Sequence, residues 1–96
     1  MSARLVWTRP DGTDVTFPLT ASPRLIGRDE GVDICIDEPL VSRAHARLEE
    51  RPEGWYLIDL GSTNTTKLNG EPITERAVKD GDELRFARAV CRFHTS

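Results

Sequence analysis

The sequence predicts an all-β fold, a sandwich or a barrel, and three observations carry that prediction. Apolar residues recur with a period of two, as in Val15, Phe17 and Leu19 or Val32, Ile34 and Ile36, the spacing of a half-buried strand. Turn signals separate such runs: Asp11-Gly12, Pro52-Glu53-Gly54, Asn69-Gly70 and Asp80-Gly81-Asp82. No segment carries apolar residues at the three-and-four spacing of an amphipathic helix.

Each element follows in order. Leu5, Val6 and Trp7 lie in a first strand, and Asp11-Gly12 turns the chain into a second over Val15 to Leu19. Pro18 has no N–H for a ladder, so it marks an edge position or the strand's end. Pro23 opens a third run ending at Gly27-Arg28, and Val32 to Ile36 forms a fourth strand that Pro39 terminates. His45 to Glu50 is a strand with Ala46 and Leu48 inward, and Trp55 to Leu60 follows the next turn. Asn69-Gly70 is a tight hairpin signal because both positions tolerate positive φ. Ile73 and Val78 lead to the last turn, and Glu83–Ala87 and Val90–Thr95 complete the set with Leu84 and Phe86 on one face.

Composition bounds the function. The 96 residues are expected to form a single domain over 1–96. A net charge of −3, from 13 basic and 16 acidic residues, disfavours a non-specific nucleic-acid binder. No run of about 18 apolar residues is present to span a membrane. No apolar leader precedes the first strand, so a cytoplasmic location is expected. Cys35 is predicted to face away from Ile34 and Ile36, whereas Cys91 shares a face with Phe93; two free thiols are expected.

Against this alternating background stand three polar segments: Gly27-Arg28 at a strand end, Ser42-Arg43-Ala44-His45 at the end of a loop, and Ser62-Thr63-Asn64. The last belongs to Gly61–Gly70, whose hydroxyls, amides and backbone N–H groups suit an oxyanion. In this order and spacing, with Thr66 and Asn69-Gly70, the segments resemble the forkhead-associated (FHA) domain family from about Leu25 to Phe86. The resemblance implies a β-sandwich of two mainly antiparallel sheets with ligand-binding loops at one end. It further implies recognition of phosphothreonine peptides in Ser/Thr kinase signalling, without cofactor, metal or enzymatic activity.

Carried over residue by residue, the resemblance pairs Arg28 with the phosphate and gives Ser42 a hydroxyl bond to a phosphate oxygen. Thr63 would line the phosphothreonine site, Asn64 would bond the peptide backbone, and Arg43 would add further peptide contacts. Gly27, His45, Asn69 and Gly70 fall at positions that support the loops. The chemistry agrees, since an arginine fork suits a doubly charged phosphate better than a lysine point charge. One residue departs from the pattern: Thr65 stands where the family usually has glycine. Either Thr65 takes an ordinary conformation and the loop shifts, or the loop is strained. Weaker peptide binding than a glycine loop gives is the expectation.

Competing readings are open to the same residues. Ser42, His45 and Asp59 invite a hydrolase, but no Gly-x-Ser-x-Gly elbow is present. Cys91 and His94 invite a metal, yet residues three apart on a strand face opposite ways. No Gly-x-x-x-x-Gly-Lys-Ser/Thr loop supports nucleotide hydrolysis. A phosphate-independent interaction surface, with the anion site impaired by Thr65, is the alternative within binding modules.

Overall fold

A computed structural model describes residues 2–95. Eleven strands run in chain order: β1 (Ala3–Thr8), β2 (Asp14–Pro18), β3 (Arg24–Gly27), β4 (Ile34–Cys35), β5 (Ala46–Arg51), β6 (Gly54–Asp59), β7 (Thr66–Leu68), β8 (Glu71–Pro72), β9 (Glu75–Ala77), β10 (Glu83–Phe86) and β11 (Ala89–Thr95). They form a six-stranded sheet in the order β2-β1-β11-β10-β7-β8 and a five-stranded sheet in the order β4-β3-β5-β6-β9. Every pairing is antiparallel except β3 with β4. No helix among the described residues is long and apolar enough to cross a membrane.

The period of two in the sequence becomes one inner face per sheet. Leu5 opposes Phe93 and Trp7 opposes Cys91 across β1 and β11, while Leu84 opposes Leu68 across β10 and β7. In the other sheet Ile26 opposes Ala46, and Leu48 opposes Leu57. All of these are buried, and Trp55 meets Phe93 across the gap between the sheets, ring centroids 6.4 Å apart. The architecture is therefore the sandwich, not the barrel.

Turn chemistry fixes the register. Asn69 (φ 50°) and Gly70 (φ 87°) form the two-residue connection between β7 and β8, with both residues left-handed as a type I′ turn requires. Asn69 also accepts from the Glu83 N–H at 2.9 Å and donates to Asp82 at 3.0 Å, clamping this hairpin to the start of β10. Asp11-Gly12 sits inside a longer connection closed by Arg9 N–H to the Thr13 carbonyl at 2.8 Å. Pro18 ends β2, which is itself an edge strand.

Two details differ from the sequence reading, and the two thiols agree with it. The fourth strand shrinks to Ile34–Cys35, although Ile34 and Ile36 are both buried as their spacing predicts. Two short edge strands, β8 and β9, went unread because all five of their residues are exposed and carry no apolar alternation. Cys35 and Cys91 are free thiols, and burial pushes the Cys91 thiol pKa well up. Leu57→Ala removes a fully buried side chain from the middle of the inner face. It should cost about 2–5 kcal/mol, read as a lower urea midpoint by circular dichroism; an unchanged midpoint would contradict the packing described.

Candidate functional site

The three polar segments meet at one end of the sandwich, because β3 and β6 run toward that end while β5 and β7 start from it. Gly27 closes β3 against the loop before β5. A Cβ built there would lie 1.9 Å from the Arg43 carbonyl oxygen, so only glycine permits the approach. Arg28 N–H then bonds the Ser42 carbonyl at 3.0 Å, and Asp29 N–H bonds the Arg43 carbonyl at 3.3 Å.

Arg28 is anchored through its stem. Its Nε donates to the Val41 carbonyl at 3.0 Å, which leaves the N–H groups of the two terminal nitrogens for another acceptor. Among the described residues no carboxylate pairs with this guanidinium. Ser42 lies next along the chain from that carbonyl, and its Oγ accepts the Thr63 N–H at 3.2 Å. Asn64 donates its side-chain amide to the Leu40 carbonyl at 2.9 Å. Arg28 bonds Ser42 through its backbone, Thr63 bonds the Ser42 hydroxyl, and Asn64 is tied to the same loop at Leu40, with Arg43 exposed beside them.

Two polar side chains, buried His45 and half-buried Asp59, hold the loops from below. His45 Nδ1 accepts the Ser42 N–H at 3.0 Å, so the ring proton resides on Nε2, which donates to the Thr65 carbonyl at 3.0 Å. Burial pushes the His45 pKa down, more than the Thr65 carbonyl and the Asp59 charge push it up. Both nitrogens are spent on backbone groups, so His45 makes no bond to the Ser42 hydroxyl. Asp59 collects the Ser62 hydroxyl at 2.5 Å, the Thr66 hydroxyl at 2.7 Å, and the N–H groups of Gly61 and Ser62. Burial opposes its ionisation, but those bonds outweigh it and hold the carboxyl below the usual range.

Asp59 and Thr66 are the loop anchors that the sequence reading did not assign. Asp59 was legible in principle, as an aspartate ending an apolar run before Gly61-Ser62, where it accepts from the second and third N–H groups onward. Thr65 adopts φ 72°, so the loop does not shift and the strained alternative holds. Its carbonyl is fixed twice, by His45 and by the Ala87 N–H at 3.1 Å. The loop's own backbone carries this strain, which is a cost to folding.

Thr65→Gly should therefore stabilise the chain. Relief of about 1–2 kcal/mol at a left-handed position exceeds the entropic cost of glycine, about 0.5–1 kcal/mol. A raised melting temperature in calorimetry is the expected reading, and a lowered one would show Thr65 to be unstrained. The His45 shift has a defined sign. An unfolded chain binds a proton near pH 6.5, whereas the folded one resists it. The contribution is complete above about pH 6.5 and is lost as pH falls toward the lower folded value. An NMR titration of the His45 ring should give a midpoint below about 6.5, with urea stability declining over the same interval.

Comparison with known proteins agrees with this geometry. The FHA domain model matches residues 24–87. The chain is 32% identical over 87 residues to the glycogen accumulation regulator GarA of Mycobacterium tuberculosis, covering 91% of this chain and 54% of that protein. It is also 32% identical over 87 residues to the oxoglutarate dehydrogenase inhibitor of Corynebacterium jeikeium, covering 91% and 60%. The chain thus spans little more than half of each relative. A solved structure from a structural and functional analysis of phosphothreonine-dependent FHA domain interactions superposes with a TM-score of 0.90 at 27% identity, covering 100% of this chain and 98% of the other. On the match over 24–87 and the shared two-sheet architecture, the chain belongs to the FHA domain family.

Proposed function

We propose that this chain is a phosphothreonine-peptide recognition module that mediates phosphorylation-dependent protein–protein interaction in Ser/Thr kinase signalling, with no enzymatic activity of its own. The observation that carries the reading is the Arg28–Ser42 arrangement. The Val41 carbonyl holds the guanidinium by Nε, so the remaining N–H groups offer a phosphate a bidentate grip. Ser42 Oγ already accepts from Thr63, so its one hydroxyl proton is available to a phosphate oxygen. Among the described residues no carboxylate neutralises the arginine, which favours a doubly charged guest.

The other residues take complementary roles. Thr63 flanks the phosphothreonine, and Asn64, with its amide N–H on Leu40, keeps its side-chain oxygen for a peptide N–H. Arg43 adds a second positive charge for acidic peptide groups. Gly27, His45, Asn69 and Gly70 keep the loops in place. The relatives are named as a regulator and an inhibitor, which supports a binding role, as does a His45 committed at both nitrogens to backbone. A phosphothreonine-containing protein, itself a Ser/Thr kinase or its substrate, is the partner.

Calorimetric titration with matched threonine and phosphothreonine peptides tests the reading. Only the phosphorylated peptide should bind, and Arg28→Ala should weaken it by at least about tenfold while leaving the thermal midpoint nearly unchanged. Equal affinity for the two peptides would end the proposal.

A further inference from the structure

A second cleft opens beside the rim, between the edge strands of the two sheets. Its floor is Trp7, Val15 and Phe17, its lip is Asp37 and Glu38, and its volume is about 510 Å³. The cleft exists because β4 is only two residues long and leaves the inner side of β2 uncovered: Val15 and Phe17 stay partly exposed. Trp7 is 6% exposed, yet its indole N–H has no acceptor among the described residues. A buried donor in that state costs about 1–3 kcal/mol. The Asp37 and Glu38 carboxylates have no cationic partner among the described residues. Arg9 lies over the Trp7 ring at 5.6 Å on the side of the β1–β2 turn, so the cleft is polarised from one lip to the other.

The cleft approaches the rim through Glu38 and Leu40. Glu38 borders both the cleft and a smaller hollow of about 180 Å³ formed with Pro39, Leu40 and Arg88. Leu40 is 44% exposed, and its carbonyl is the one that holds Asn64. We infer that the β2–β4 cleft is a second docking site for the flank of the bound phosphopeptide, where Asp37 and Glu38 select a lysine or arginine. The inference rests on the phosphothreonine reading above. An apolar floor suits the side chains of an extended peptide, and an acidic lip suits a basic side chain and repels nucleic acid.

A peptide library with one fixed phosphothreonine and randomised residues on both sides tests this. Wild type and the D37N/E38Q double variant are screened in parallel, and the best peptide is then remeasured after truncation of its distal flank. Wild type should enrich Lys and Arg in that flank, and truncation should weaken binding about fivefold. The double variant should lose both effects while binding the truncated peptide as wild type does. The Trp7 indole N–H resonance should move only with the long peptide. No basic enrichment, or an unmoved Trp7 signal, would overturn the cleft while leaving phosphothreonine binding intact. A truncated peptide bound equally with and without its phosphate would overturn the phosphothreonine reading and, with it, the cleft.

Discussion

One buried imidazole holds the functional end of the molecule together. His45 bonds the end of β3 through its N–H to Ile26 and the end of β6 through its carbonyl to the Leu60 N–H. Its ring bonds Ser42 on one side and Thr65 on the other, and lies edge-on to Phe86, centroids 5.7 Å apart. Both sheets and both recognition loops are therefore referenced to a single residue, through its backbone and its ring. Because the ring is neutral and fully satisfied, it can be buried without the penalty of an unpaired charge. Loops without regular structure thereby gain the fixed geometry that selecting a ligand requires.

Charge is distributed to the same end. Arg24, Arg47, Arg51, Arg76, Arg85 and Arg92 each have a carboxylate within 4.0 Å. Arg4, Arg9, Arg28, Arg43 and Arg88 have none among the described residues; Arg4 lies within β1, and the other four lie in turns and loops. Asp59, the carboxylate nearest the recognition loop in sequence, is turned to hydroxyls and amides instead of to an arginine. The four loop arginines share that end with Asp29, Glu30, Asp37 and Glu38, so groups of both signs lie side by side there, which the net charge of −3 does not reveal.

The long strands and the inner faces were legible because burial on one side of a sheet imposes a period of two. Val15, Phe17, Ala46, Leu48, Leu84 and Phe86 all fall on the inner faces that period assigns them. Asn69-Gly70 was legible because its turn type demands positive φ at both positions. The short strands β8 and β9 were not, since an exposed edge imposes no pattern. The polar segments were visible as motifs, but their mutual bonds were not: Val41 and Leu40 act through backbone carbonyls, which any residue possesses. Thr65 shows the converse, a local preference overridden by two bonds to its carbonyl.

Both sheets end in strands that offer little to a neighbouring chain. β4 and β8 have two residues each and β9 has three, while β2 and β8 both finish in proline. Glu71, Glu75 and Arg76 put charge on the outermost positions. Such edges resist strand-by-strand association. Copies crowded along one multiply modified polypeptide would consequently remain discrete heads, each free to engage and release without fusing to the next.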